Sequence, residues 1–433
     1  MKNLVWEKNE FKWWILLLCA YHFFPFITTQ GSLIMYVWAY LVPVVYIACN
    51  LNYLSKIISA LVYSEAFICI AGMVLLSCFS IVIPSVYGTG DFTYFTDSIL
   101  TMVKILLRML FISIIILKNI PDATKETFMK YFIFSCCLYI CSTFIMILLP
   151  GIKDIFYNLV KESEHAKLMA LDPQYATRYG WAGFSGFEYT FKCVLAIVFT
   201  CYLFGKRIKD NKIWIYVGIV LFLLAGTLFY GRIGSLFGLG VLCVLFLRLL
   251  KKRPKILIVV IICGILLCIG LFILQSRNEA VRTWFEWAFD LFVTFIETGK
   301  FQTDSSNVLI QQMLFIPEPQ TMLFGDGMYS TATGYYMETD AGIMRTLLFG
   351  GIGFAALRYL TFYLPLAWRV LNKDSDKEQR WLFFWVLLLC IVFEIKGEIL
   401  FSCMPILIWI FMIDKYKKME VQNGTRLKLQ KVV

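Results

Sequence analysis

From Ile213 to Leu250 the chain is apolar except for one charged residue, Arg232, ahead of the closing Arg248. A single helix of that length would rise about 57 Å, roughly twice the hydrocarbon thickness of a bilayer. The run must therefore fold as two membrane-crossing helices joined by a tight turn, and Gly231-Arg232 marks the turn. Gly231 supplies the backbone freedom, while Gly234, Gly238 and Gly240 let the second helix approach a neighbour closely.

Comparable runs recur along the sequence. With 60% hydrophobic and only 16% charged residues, the composition exceeds what a soluble core needs. The expected fold is all-α, a polytopic integral membrane protein with about twelve transmembrane helices at ~20 residues each. Approximate limits are 12–29, 31–49, 61–83, 98–118, 128–149, 187–205, 213–230, 233–250, 256–274, 341–366, 381–395 and 398–414. The basic start leads into an apolar stretch without a small-residue cleavage site, so the first segment is expected to stay as a helix. Residues 1–433 read as a single membrane domain without an internal repeat.

The net charge of +11 sits mostly in short connections such as "GKRIKDNK", "KKRPK" and "NKDSDKEQR", and in the basic tail 415–433. Lysine and arginine in such loops orient a membrane protein, and this reading excludes nucleic acid as the partner. It places both termini in the cytoplasm, because the connection "SVYGTGDFTYFTD" has no basic residue. The 14 cysteines lack metal-ligand spacing; Cys136 and Cys137 lie in apolar sequence, as small hydrophobes do.

Two connections on the extracytoplasmic side are long, 151–186 and 275–340, and long loops carry function. The larger loop precedes the tenth span. In it Val281, Trp284, Phe285, Ala288, Phe289, Phe292 and Phe295 recur at helical spacing, with Arg282, Glu286 and Asp290 on other faces. That pattern predicts an amphipathic helix on the membrane surface or across the mouth of the bundle, either touching substrate or serving as a plain lid.

Arg232 runs against the inside bias, and alone it would snorkel to head-group phosphates. It has company on or near the outer half: Lys104 and Arg108 at i,i+4, Lys192, Arg345 and Lys396. Each charge at mid-membrane costs roughly 3 kcal/mol on insertion scales, so an anionic ligand or local acids must compensate them. Glu188 is placed to pair with Lys192, and Glu394 and Glu398 flank Lys396. Arg232, Arg345, Lys104 and Arg108 have no acid so placed and are the candidates for gripping a diphosphate.

Three segments resemble, in order and spacing, those of bacterial O-antigen, capsule and exopolysaccharide repeat-unit polymerases and the related O-antigen ligases. They are "LFYGRIGSLFGLGVLCVLFL", with a Gly-Arg turn; "EPQTMLFGDGMYS", with Gly-x-Gly; and "TDAGIMRTLLFGGIGFAALRYL", with Asp-x-Gly, Arg and Gly-x-x-Gly. The resemblance covers about residues 190 to 400, and the first half is similar only in being hydrophobic and multispanning.

It implies a membrane glycosyltransferase, located in the bacterial cytoplasmic (inner) membrane. Such an enzyme moves a chain from an undecaprenyl diphosphate carrier onto another lipid-linked repeat unit at the outer face. The partners implied are undecaprenyl-diphosphate-linked oligosaccharides and membrane lipid, with a flippase and a chain-length regulator in the same pathway. No Asp-x-Asp pair lies in an outside loop, so no cofactor and no metal is expected. Arginine or lysine would carry the charge of the departing diphosphate.

The ligase branch has a histidine where this chain has Asp340; His22 and His165 lie elsewhere, which favours the polymerase branch. Asp340 is the first candidate for a base and Glu338 the second, with a helix cap as the alternative for Asp340. The expected catalytic set is Asp340, Arg232 and Arg345. Lys104, Arg108, Arg178, Arg282 and Lys396 are further candidates for substrate or diphosphate, and Arg277 is a weaker one. Competing readings are a ligase-type transferase to another acceptor and a lipid-linked oligosaccharide flippase.

Overall fold

The computed structural model describes residues 10–430 apart from 173–174, 176, 207–212, much of 253–278, 301–302, 333 and 374. The expected ninth span, 256–274, and Arg277 fall largely or wholly outside the described residues. The chain is a helical membrane protein. Its helices are α1 (Trp13–Phe23), α2 (Ser32–Ala48), α3 (Leu51–Val62), α4 (Glu65–Tyr87), α5 (Thr93–Asn119), α6 (Lys125–Leu148), α7 (Pro150–Leu159) and α8 (Glu164–Leu171). There follow α9 (Phe187–Lys206), α10 (Ile213–Tyr230), α11 (Arg232–Lys252), α12 (Glu279–Thr298), α13 (Asp304–Val308), α14 (Pro319–Phe324), α15 (Gly342–Leu371), α16 (Lys377–Lys396) and α17 (Leu400–Gln430).

Among the described residues, α4, α5, α6, α9 and α15 are each long and apolar enough to cross a membrane. A sixth crossing exists if α2 and α3, bent by 96° at their junction, count as one. Leu33, Ile34, Leu75, Ile352, Leu364 and Trp368 are exposed on these helices, a surface that lipid accepts and water does not.

The expected first span, 12–29, is cut short. Phe24 leaves the helical region, at φ −129° and ψ 66°, because it precedes Pro25. The resulting 11-residue helix rises about 16 Å and cannot cross alone. The chain beyond it pairs instead with the end of α7, through the Thr28 to Val160 bridge.

Packing divides the chain into two compact units, 1–39 with 129–303 and 40–128 with 304–433. In the first, α9 is buried from Thr190 to Phe204, and α10 and α11 pack against it. The apolar run is the expected helical hairpin, broken at Gly231. Close approach explains its glycines: a Cβ on Gly234 would lie 2.1 Å from Thr190 Cγ2, and one on Gly238 2.9 Å from Leu224 Cδ1. Gly240 faces open space, so its expected packing role is not found. The amphipathic helix of the large loop is α12, whose Trp284 is buried, stacks on Phe229 at 4.8 Å and donates to the Leu228 carbonyl at 3.1 Å. Between α8 and α9 a short hairpin pairs Tyr179–Gly180 with Gly183–Phe184.

The second unit packs α15 against α4, α14 and α16, with α17 against α3, α4 and α5. Arg369 of α15 bridges Glu65 at 2.7 Å and Asp414 at 2.9 Å, and Asp414 also holds Lys125 at 2.9 Å, which ties four helices together. Helix α15 is interrupted at Gly351, where φ is 71° and ψ −175°. The freed carbonyls of Leu348 and Phe349 accept from Asp326 and Gly327, at 2.7 and 3.1 Å. The Gly-Asp-Gly turn thus fills the break, as irregular backbone inside a membrane protein must be filled.

Substitution in that seam is expected to be severe. Gly325 has φ +76°, and a Cβ there would sit 2.5 Å from the Phe349 carbonyl oxygen. Backbone strain alone costs about 1–3 kcal/mol, so Gly325→Val is expected to lower the melting temperature of the detergent-solubilised protein by several degrees. A melting temperature within a degree of wild type would contradict this packing.

Candidate functional site

Two clusters hold several of the candidate cations, one in each unit. In the first unit, Arg178, on the segment between α8 and the hairpin, and Arg232, at the start of α11, both lie over the Trp287 ring of α12, at 4.6 and 4.7 Å. Arg178 also lies over Tyr175 at 4.4 Å. Arg232 pairs with Asp290 at 2.8 Å, one turn along α12 from Trp287. Burial and then the like charge of Arg232 push the Arg178 guanidinium down to about 10, with Tyr175 acting the other way.

The second cluster is denser. Arg345, in the first turn of α15, is sandwiched between Tyr329 and Tyr335, with ring centroids at 3.9 and 4.0 Å. Its Nη1 meets Glu398 at 3.1 Å. Arg358, fully buried beyond the break in α15, reaches the same carboxylate at 2.5 Å, Glu394 at 3.3 Å and Thr346 Oγ1 at 2.5 Å. Glu398 also accepts from Tyr329 Oη. Glu394 in turn caps α17 by accepting from the Ile399 and Leu400 amides at 2.8 and 3.2 Å.

Beneath Tyr329 lies a core of Leu76, Ile83, Tyr94, Phe349 and Phe354. The loop bearing it is pinned by Asp91, which accepts from the Tyr329, Ser330 and Thr93 amides at 2.5, 2.8 and 3.0 Å. Burial raises the Asp91 pKa, but these hydrogen bonds outweigh it and hold the carboxyl below the usual range.

Asp340 lies at the approach to Arg345. The cap of α15 is Ala341, without a side-chain cap bond, so the cap alternative for Asp340 is not what the chain adopts. The Ala341 amide goes to Thr339 Oγ1 instead, at 3.3 Å. Asp340 Oδ1 is buried without a hydrogen-bond partner among the described residues. Burial raises its carboxyl above the usual range, against the pull of Lys396 and Arg345. Glu338 is exposed, in left-handed backbone at φ 53°.

The structure therefore places Asp340 within the electrostatic reach of Arg345 and Lys396 in one unit, and Arg232 with Arg178 over Trp287 in the other. Lys192 has the expected partner, Glu188, at 2.6 Å, and also bonds the Phe23 carbonyl at 3.0 Å. Arg345 and Arg232, expected without acids, both have one, and Glu398 serves Arg345 and Arg358. Arg282 pairs on an exposed surface with Glu286 at 3.2 Å. Arg108 donates to Tyr40 Oη at 3.2 Å, and Lys104 is half-buried within the field of Asp97.

Arg358 is the residue that sequence reasoning missed. The signal was a lone arginine in the apolar "GFAALRYL", which demanded buried acids such as Glu394 and Glu398. Compared with known proteins, the chain matches no family model, no curated protein and no solved structure.

Proposed function

We propose that the protein is an oligosaccharide repeat-unit polymerase of the bacterial cytoplasmic membrane, a metal-independent glycosyltransferase using undecaprenyl-diphosphate-linked donors at the outer face. About twelve spans with both termini in the cytoplasm would place α12 and the Asp340 loop on that face, and the basic connections support this orientation. One observation carries the reading: Asp340 is a half-buried carboxylate with an oxygen unpartnered among the described residues, within the electrostatic reach of the cations Arg345 and Lys396.

The chemistry follows from that pairing. Asp340 takes the proton of an acceptor sugar hydroxyl, whose oxygen forms the new bond to the anomeric carbon of the donor. The bond from that carbon to the diphosphate oxygen breaks, and its electron pair leaves on the diphosphate. Arg345 and Lys396 bear the growing charge, the electrostatic task otherwise often given to a metal. Tyr335, half exposed over Arg345, offers a ring on which a sugar can stack.

The test is purified protein with lipid-linked repeat units, scored for products longer by whole repeats. A ladder is expected. The break in α15 supports a second reading, because transporters bind substrate at discontinuous helices. Leaflet exchange of the lipid-linked unit without lengthening would select that reading, and attachment of one chain to a foreign acceptor would select a ligase.

A further inference from the structure

Glu398 stands outside the chemistry just described, yet its two oxygens are the meeting point of three donors. They accept from Arg345 Nη1 at 3.1 Å, Arg358 Nη2 at 2.5 Å and Tyr329 Oη. Such convergence on one anion is how a protein holds a phosphate. Here the anion belongs to the protein, on the short Gly397–Ile399 link between α16 and α17.

The two arginines are not held alike. Arg358 is fully buried and keeps Glu394 and Thr346 besides Glu398. Arg345 has one ion-pair partner among the described residues, Glu398, and one of its covering rings, Tyr335, is 49% exposed. Arg345 can therefore turn from Glu398 toward a ligand while Arg358 stays in place.

We propose that Glu398 is a built-in competitor for the donor's diphosphate, a positioning residue that holds Arg345 when the site is empty and reclaims it to release the diphosphate product. The inference rests on the diphosphate-donor reading above. A diphosphate entering over Asp340 and Tyr335 draws Arg345 from Glu398, and Arg358 together with Tyr329 keeps the vacated carboxylate satisfied. After transfer the exchange reverses. The competition weakens ground-state binding of the diphosphate and speeds its departure, a trade that favours turnover when product release is slow.

The experiment measures inorganic pyrophosphate binding to the detergent-solubilised full chain, then donor kinetics. Glu398→Gln is expected to tighten pyrophosphate binding about tenfold, the size of one charge-assisted contact, and to do so only while Arg345 is present. With lipid-linked repeat units the same variant is expected to lower KM and kcat together, a split that mere loss of packing would not give. If Glu398→Gln does not fold, Glu398→Asp draws the carboxylate back from Arg345 while keeping the charge for Arg358, and a tightening of about threefold is expected.

Binding unchanged or weakened in the folded variant, with wild-type binding still dependent on Arg345, overturns the competitor role and leaves the polymerase reading intact. Wild-type binding that is indifferent to Arg345→Ala removes the diphosphate reading itself.

Discussion

Asp340→Asn should lower the rate of chain lengthening by roughly 10²- to 10⁴-fold, the range that a positioned base contributes, with donor KM little changed. The substitution keeps shape and removes the ability to take a proton. Because Ala341 stands at the cap position of α15 and its amide goes to Thr339, no cap is lost, and the buried Asp340 Oδ1 has no hydrogen bond among the described residues to lose. The melting temperature should therefore stay level or rise. A purely structural Asp340 would give the opposite pair of results, activity within about twofold and a stability change near the ~1 kcal/mol of a lost cap.

The pH profile supplies a second handle. A base works deprotonated, so activity climbs as pH rises through the Asp340 pKa, which burial has lifted above its ordinary value of about 3.9. Lys396 opposes that lift. Lys396→Ala should move the acid limb of kcat/KM to higher pH by up to about one unit, on the scale of one nearby charge. An acid limb that stays put, or moves down, would mean that Asp340 is not the titrating group.

What could be read from the sequence was what short-range periodicity encodes. The hairpin at Gly231, the buried Trp284 stripe of α12 and the Glu188 to Lys192 pair all depend on residues a few positions apart. The arrangement around Arg345 depends on partners that only tertiary packing delivers: Glu398 is 53 positions away, and Asp91 is 238 from the Tyr329 it pins. The break at Gly351 was equally hidden. Its sequence, Gly-Gly-Ile-Gly, suits a tight helix contact as well as an interruption, and the Gly-Asp-Gly turn that fills it lies across a separate loop. The 96° bend between α2 and α3 passed unseen because hydropathy records burial, not direction.

Arg345→Ala should cost about 10²- to 10³-fold in kcat, the loss seen when one donor to a developing charge is removed. The fold should survive, because Glu398 keeps Arg358 and Tyr329, and no carboxylate is left bare. Arg345→Lys should recover little of the loss. The planar guanidinium fits between the Tyr329 and Tyr335 rings and presents several donors at once, whereas a lysine ammonium is compact, strongly hydrated and unable to stack. The comparison separates two roles, since a residue needed only for positive charge would be largely rescued by lysine. Near-normal ladders from Arg345→Ala would remove the charge-bearing role, whatever became of Asp340. A variant that lengthens chains at a normal rate only at raised donor concentration would place Arg345 in uniform binding, stabilising ground state and transition state alike, rather than in the transfer step.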